Sequence, residues 1–214
     1  MTRFAAVRGI AFTSLAVLLV VIGAAMRPVF APVTPPLSPP ILNATEIGFI
    51  QDMAAHHQQA IQIVQRLDPG AEPGIEALAQ QIRDTQTAEI GMFLGWLRLA
   101  EAPPVNRQPM SWMTSDSAAL HQHLTHSPGP DTSPGLMPGM ATRTELDSLA
   151  SARGHDAEGM FLQLMHRHHL GGVEMAQAAD QLMADGPVKQ AARDIMAAQS
   201  QEAGLIAVLL TQTR

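Results

Sequence analysis

A repeated helical segment is the feature of this sequence that most constrains its fold. Residues 49–65 read FIQDMAAHHQQAIQIVQ, and residues 161–177, 112 positions later, read FLQLMHRHHLGGVEMAQ. In both copies the apolar positions follow one another at steps of three and four, the spacing of the buried face of a helix in a bundle. The chain is therefore predicted to contain two equivalent amphipathic helices, each with a Met-x-x-His-His unit.

Each copy is followed by a turn signal and a second helical run, so the sequence predicts two helical hairpins. Clusters of Pro, Gly and Asp stand at 68–74 and 185–187, and such clusters end helices. The second runs correspond if Arg83 is placed on Arg193, since Asp follows both. Their predicted buried faces are Leu78, Ile82, Thr85, Glu89, Met92 and Trp96 in the first half, and Val188, Ala192, Ile195, Gln199, Glu202, Ile206 and Leu209 in the second. Two hairpins joined by a long crossover at about 103–140 predict an all-α four-helix bundle.

Composition agrees with a helical domain and narrows the choice of partner. Charged residues make up 15% and aromatic residues 4% of the chain, and Tyr is absent, which favours a core of Ala, Leu, Ile, Val and Met over a sheet. The net charge of -6 argues against nucleic acid as the main partner. Cys is absent, so a site for a soft metal must use Met sulfur and His nitrogen. No pattern in the sequence indicates a protein partner.

The N-terminal region predicts export of the rest of the chain. Residues 9–26 carry no charge and follow Arg3 and Arg8; a bilayer requires about 17–25 such residues, and the two arginines predict a cytoplasmic N-terminus. We therefore expect a single-pass membrane anchor within 1–27, a Pro-rich spacer over 28–43, and a domain over 44–214 on the extracytoplasmic side. The alternative is a signal peptide cut after 29–31, which would leave a secreted or periplasmic protein.

The repeated unit suggests a metal site, because residues three and four apart on a helix share one face. In each copy a Met thioether can share a ligand with the histidines one turn later. Imidazole together with thioether, without Cys, points to copper as Cu(I) or Cu(II). A Glu on each partner helix would complete the site or orient an imidazole. The candidate ligands are Met53, His56, His57 and Glu89 in the first half, and Met165, His168, His169 and Glu202 in the second.

The alternative is a structural or interaction module without metal. Buried polar groups need partners, so His–Glu hydrogen bonds could fix the register of the helices, and Met at helical spacing often fills a core. An enzyme is not expected: the Glu-x-x-His motif of di-iron bundles, phosphate-binding glycine motifs, zinc-protease motifs and the Gly-x-Ser-x-Gly motif are all missing from the sequence. A redox enzyme with a bound metal is the weakest hypothesis.

The crossover supplies a second, looser set of candidate ligands. This segment is rich in Met, His, Pro and Gly, a composition that suits transient capture of copper and equally suits a solvated loop. The candidates are Met110, Met113, His121, His123, His126, Met137 and Met140.

At these residues the chain resembles the bacterial "domain of unknown function 305" family. The pattern Phe-(Leu/Ile)-x-x-Met-x-x-His-His-x-x-Ala stands at 49–60 and, with Gly for Ala, at 161–172; a Gln-x-x-Glu-Ile-x-Met segment stands at 86–92, and Met-Pro-Gly-Met at 137–140. The resemblance runs from Glu46 to Leu210. It implies an exported, ferritin-like four-helix protein, and copper binding in some members, with Met53, His56, His57, Met165, His168 and His169 as ligands.

Two departures from the family pattern bear on the site. Glu46 and Glu158 replace a common Asp, and we interpret both as acids in the first turn of their helices or as caps. The Met that commonly follows the second His by six residues is kept as Met175, another candidate ligand, but is replaced by Ile63 in the first half. If these methionines bind metal, the two halves are expected to differ in affinity.

Overall fold

The computed structural model describes residues 15–22, 24, 40–113 and 137–212. The chain forms two compact units, Met1–Pro39 and Pro40–Arg214. In the first unit, residues 15–22 and 24 are helical. Among the described residues, no helix has both the length and the hydropathy needed to cross a bilayer. Most of the predicted membrane segment at 9–26, and most of the spacer at 28–43, lie outside the described residues.

The regular elements of the second unit, over its described residues, are all helices. Its helices are α1 (Ala44–Val64), α2 (Pro73–Leu99), α3 (Arg143–Ser151), α4 (Gly154–Leu182) and α5 (Pro187–Gln212), with a short 3-10 turn at Ser111–Met113. The two predicted turn signals separate α1 from α2 and α4 from α5, so both predicted hairpins form. The two hairpins meet through α1 and α4. The short helix α3 was not predicted.

Capping groups set where the helices begin. The Asn43 side chain accepts a hydrogen bond from the Glu46 backbone N–H at 2.9 Å, and the Glu46 carboxylate accepts one from the Asn43 N–H at 2.7 Å. This reciprocal arrangement satisfies donors that the first turn of a helix leaves without partners, and the interpretation of Glu46 is confirmed. The interpretation of Glu158 is wrong. It lies in the second turn of α4, is buried, and accepts a hydrogen bond from the Glu72 N–H at 2.7 Å.

Two hydrophobic clusters form the core of the second unit. The first cluster consists of Leu42, Phe49, Ile50, Met53, Ala54, Phe93, Leu97, Trp112, Met175, Ala176, Ala179, Met183, Val188, Ala192 and Ile195. The second cluster consists of Ala60, Ile63, Ile75, Leu78, Ala79, Ile82, Ala141, Leu146, Leu149, Phe161, Leu162, Leu164, Met165 and Ile206. The early part of α1 shares a cluster with the late part of α4, and the reverse holds for the second cluster, so these two helices run antiparallel. Along both helices the adjacent histidines lie between the two clusters.

The predicted buried faces are confirmed for α1, α4 and α5 and for Leu78 and Ile82 of α2, but they are wrong for the rest of α2. Thr85 and Met92, predicted to be buried, are exposed, whereas Gln86, Phe93 and Leu97, one residue further along, are buried. The predicted correspondence of Arg83 with Arg193, which are 110 positions apart, is also wrong, by three residues. Glu89 and Glu202, which pair with equivalent histidines, are 113 positions apart. The hydrophobic spacing on α2 allows two neighbouring faces, and packing against α1 selects one of them.

Asp52 fastens the start of the crossover to α1. Its Oδ2 accepts hydrogen bonds from the Met110 backbone N–H at 2.7 Å, Trp112 Nε1 at 2.9 Å and Asn106 Nδ2 at 3.1 Å. Next to it, Gln51 Nε2 donates to the Pro103 carbonyl at 2.6 Å. Burial raises the pKa of the Asp52 carboxyl above its usual range, and the three hydrogen bonds oppose that effect. A single buried side chain thus holds the loop from Asn106 to Trp112 against the first cluster.

Replacing Asp52 with Ala should destabilise the protein by about 2–4 kcal/mol, because it removes the acceptor of three hydrogen bonds and each buried group left unpaired costs about 1–3 kcal/mol. Urea unfolding followed by circular dichroism measures this change. Asp147→Ala, at an exposed position on α3, is the matched control and should stay within about 0.5 kcal/mol of the unsubstituted protein. Equal stability of the two variants would contradict the anchoring role of Asp52.

Candidate metal centre

The core of the second unit contains a stacked pair of histidines where α1 and α4 cross. The rings of His56 and His168 have centroids 3.8 Å apart and planes 33° apart, and both side chains are fully buried. His56 Nε2 donates to the Pro138 carbonyl at 3.0 Å, and His168 Nε2 donates to the His56 carbonyl at 3.1 Å. A carbonyl can only accept, so each Nε2 carries the proton and each Nδ1 holds a lone pair.

The second histidine of each unit contacts the predicted glutamate of its own hairpin. His57 Nε2 lies 2.7 Å from Glu89 Oε2, and His169 Nε2 lies 2.7 Å from Glu202 Oε2. The second contact is an aligned hydrogen bond, and the first is not. These four residues therefore link α1 to α2 and α4 to α5, as the sequence predicted.

Burial keeps the stacked imidazoles neutral. Desolvation, followed by repulsion from His57, lowers the pKa of His56 to about 3. Desolvation together with the neighbouring histidines also places the pKa of His168 well below its usual range. A neutral imidazole is the form that binds a metal, so no proton has to leave these rings at neutral pH.

Several buried polar atoms in this centre have no hydrogen-bond partner within the described residues. They are the Nδ1 atoms of all four histidines, His57 Nε2, and both amide atoms of Gln86 and Gln199. Buried polar groups are normally paired. Gln199 reaches its position because Gly172 on the facing helix has no side chain, and a Cβ there would overlap the amide of Gln199. Orphaned nitrogens with free lone pairs are the atoms a metal ion would use.

The predicted methionine ligands are buried but separate into the two clusters. Met53 and Met175 belong to the first cluster and Met165 to the second, and none of the three is exposed. In the crossover, Met110, Met113 and Met137 are partly buried and pack against the first cluster. Met140 is also partly buried. The loop candidates His121, His123 and His126 lie outside the described residues.

A strap, residues 137–145, covers the stacked histidines. Gly139 has φ of 73°, a conformation that favours glycine, and Gly171 on α4 has no side chain where the Pro138 carbonyl approaches. Gln59 on α1 donates to the Ala141 carbonyl at 2.9 Å and accepts from the Ala141 N–H at 2.6 Å. These contacts press the strap against both central helices.

An ion pair holds the far end of the strap. Arg167 on α4 donates two hydrogen bonds of 2.8 Å to the two carboxylate oxygens of Glu145. These bonds are the main reason that the pKa of Glu145 is lowered to about 2. Glu145 also completes a capping box with Thr142 at the start of α3. Thr-x-x-Glu is a capping signal, so the sequence held the information for α3.

The donor set suits a soft cation more than a hard one. Across 15–22, 24, 40–113 and 137–212, no three His, Asp or Glu side chains converge to hold a metal ion. A thioether stands one turn before the histidines of each unit, that of Met53 on α1 and that of Met165 on α4. Thioether sulfur contributes mainly to Cu(I).

Comparison with known proteins places the chain in a family. Residues 46–210 match the family model described as "Domain of unknown function (DUF305)". The chain belongs to the DUF305 family. A comparison with curated protein sequences gave no match.

Solved structures support the same assignment for this DUF305 chain. A DUF305 protein from Streptomyces coelicolor, described as a predicted secreted protein, is 34% identical, with a TM-score of 0.67 over 79% of this chain and 92% of that one. A DUF305 fragment from Deinococcus radiodurans is 26% identical, with a TM-score of 0.63 over 81% and 99% of the two chains. CopM in its Cu(II)-bound form is 22% identical, with a TM-score of 0.56 over 79% and 97%. At that identity the likeness to CopM shows the fold alone.

Sequence reasoning missed several residues that build this centre. Gln86 and Gln199 stand three residues before the glutamates, within a pattern that the sequence displayed, yet only the glutamates were predicted as site residues. No local signal in the sequence indicates the roles of Gln59, Gly171 and the Pro138 carbonyl. Those roles depend on contacts between residues more than thirty positions apart.

Proposed function

We propose that this DUF305 chain binds copper outside the cytoplasm and buffers or sequesters it, without catalysing a reaction. The observation that carries the proposal is the set of four buried imidazoles, each with an Nδ1 that has no hydrogen-bond partner among the described residues. In this proposal the long helices form a ferritin-like four-helix bundle, and segment 9–26 anchors the chain to the membrane or directs its secretion.

The candidate ligands have distinct tasks. The neutral imidazoles of His56 and His168 offer lone pairs without first releasing a proton. Glu89 and Glu202 hold His57 and His169 in place from the partner helices. Such outer partners orient a ligand ring and raise its basicity. The methionines supply the soft sulfur that Cu(I) prefers, and those of the crossover lie where they could pass the ion inward.

Two comparisons support the proposal. The structural neighbour CopM is described in a Cu(II)-bound form, which gives copper the first place among metals to test. The Streptomyces coelicolor relative is described as a predicted secreted protein, in agreement with an extracytoplasmic site of action.

Copper binding should depend on the stacked histidines. We expect the full-length chain to compete with bicinchoninate for Cu(I). The double variant His56→Ala/His168→Ala should bind Cu(I) at least about tenfold more weakly, because losing even an outer partner of a metal ligand lowers metal affinity about 10–100-fold. Circular dichroism checks that the variant remains helical. His155→Ala, at an exposed position, should bind as the unsubstituted protein does. Unchanged binding in the double variant would contradict a site at these histidines.

A second candidate function is a structural or interaction module without metal. The paired contacts of 2.7 Å between His57 and Glu89 and between His169 and Glu202 favour it, since they tie each hairpin together without an ion. Under this alternative the full-length chain would not compete for Cu(I), Cu(II) or Zn(II), and the same competition experiment decides between the two.

A further inference from the structure

We infer that this chain forms a symmetric homodimer through the solvent-facing side of α2, with the two copies of that helix antiparallel and crossing at Gly91. The residues that define this surface, the α2 face, are Asp84, Ala88, Gly91, Gly95 and Arg98. They follow one another at steps of four and three, so they lie along one side of the helix. All five are exposed. The dimer does not require the proposed copper binding.

Large apolar side chains flank the α2 face. Met92, Leu94 and Leu99 are 37%, 43% and 66% exposed. On the opposite side of the same helix, Phe93 and Leu97 are buried in the first cluster. Helix α2 therefore carries apolar residues on two sides, and the core of the second unit uses one of them. An exposed apolar strip on a helix marks a surface for protein contact, and a second copy would cover it.

The middle of the α2 face has room for another helix. A Cβ at Gly91 or at Gly95 would meet no other atom within 4 Å, so no contact in the described part of the chain requires glycine there. Glycine inside a helix is destabilising relative to Ala, but it lets a second backbone approach closely. Beside Gly95 lies a surface hollow of about 600 Å3, lined by Leu94, Arg98 and the residues that follow α2. A second α2 helix has the shape to fill this hollow and to contact both glycines.

Charge complementarity selects an antiparallel pair of copies. Asp84 precedes Gly91 by seven residues and Arg98 follows it by seven, which is about two helical turns on either side. A two-fold axis at Gly91 therefore places Asp84 of each copy opposite Arg98 of the other. A parallel pair would bring like charges together at both positions. Within the described residues Arg98 makes no hydrogen bond or ion pair, so its guanidinium is available to a partner.

Helix α5 provides an internal comparison, because it holds the equivalent place in the second hairpin. Gly204 corresponds to Gly91 at the offset of 113 positions that relates the two glutamates. Next to it, Leu205 is exposed in the same way as Met92. Ala197 and Thr211, however, stand where α2 has its acid and its base. The α5 side thus lacks the charges that would select a second copy, and it supplies a matched control.

Reversing one charge at a time tests the pairing. Sedimentation of the metal-free full-length chain in detergent should show a reversible dimer, because one helix face is a small interface, at or below about 1,200 Å2. Asp84→Arg and Arg98→Asp should each weaken dimerisation at least about tenfold, since both ion pairs become repulsive. An equimolar mixture of the two variants should recover the dimer, because opposite charges then face one another. Single variants that dimerise as the unsubstituted chain does, or a mixture that stays monomeric, would overturn the inference.

Cysteine variants locate the axis. The chain contains no Cys, so Gly91→Cys introduces one thiol at the position where each copy meets its equivalent. Oxidation should join most of this variant into covalent dimers, because a two-fold contact brings the two thiols within disulfide range. Gly204→Cys, exposed at the equivalent place on α5, should remain largely monomeric, and circular dichroism checks that both variants are helical. Equal crosslinking of the two variants, or a chain that is monomeric at every concentration, would overturn the dimer and leave copper binding untouched.

Discussion

Acidification should strongly destabilise the metal-free protein, with the loss developing between about pH 6.5 and pH 3. Burial holds the pKa of His56 at about 3, while the unfolded chain takes up the same proton near 6.5. Over that interval the unfolded state binds more protons, so the free energy of unfolding is at its full value above about pH 6.5 and decreases as the pH falls. His168 shifts in the same direction.

The expected size of this effect is large compared with the total stability of a domain. At 1.4 kcal/mol for each tenfold change in proton activity, moving from pH 6.5 to pH 4.5 costs about 2–3 kcal/mol for His56, and the lowered pKa of His168 adds a loss in the same direction. Domains of this size are stable by about 5–15 kcal/mol. Urea unfolding of the metal-free chain at pH 7.5 and pH 4.5 measures the loss.

The double variant His56→Gln/His168→Gln identifies the source of the pH dependence. It should start from a lower stability at pH 7.5 but lose much less on going to pH 4.5, because the buried titrating groups are gone. His155→Gln, at an exposed position on α4, should retain the full dependence. A double variant with the same pH dependence as the unsubstituted protein would show that the stacked pair is not responsible.

Gly171→Ala should destabilise the protein by about 2–4 kcal/mol. A Cβ at this position would overlap the carbonyl of Pro138 and lie 2.7 Å from the Gly139 nitrogen. Both are backbone atoms, so no side chain can rotate away. Overpacking of this kind costs about 1–3 kcal/mol. Displacement of the strap would also break the hydrogen bonds that His56 and Gln59 make with it, at about 1 kcal/mol each.

The same helix offers a matched control. A Cβ at Gly159 would have no atom within 4 Å, so Gly159→Ala should be neutral or raise the free energy of unfolding by up to about 1 kcal/mol, as expected for Ala replacing Gly in a helix. Thermal unfolding of both variants measures the contrast. Gly171→Ala with the stability of Gly159→Ala would mean that the strap does not press on α4.

The parts of the fold that could be predicted are those with local signals. The repeat fixed the two hairpins, and the spacing of apolar residues identified the buried faces of α1, α4 and α5. On α2 the pattern was compatible with two neighbouring faces, and packing against α1 decided in favour of Gln86 and Phe93. Helix α3 carried a capping signal at Thr142 but lay in a segment dominated by Pro and Gly, where a helix is not expected.

In the candidate site, too, some contacts could be predicted from local signals and others could not. The contacts of His57 with Glu89 and of His169 with Glu202 follow from helical spacing, and the sequence predicted all four residues. The stacking of His56 on His168 and the placement of Met175 beside Met53 depend on how α1 crosses α4. That crossing is a property of the whole core, and no local pattern encodes it.

Asp52 and Gln59 attach both ends of the crossover to the same helix, α1. The residues between these attachments therefore do not have to bring the two hairpins together, because the fastened ends and the core already do so. Lengthening a connection costs little entropy, about 0.6 kcal/mol for each doubling. Insertions and deletions between 113 and 137 should thus be well tolerated over evolution, which leaves the number and kind of side chains there free to vary while the histidine centre stays fixed.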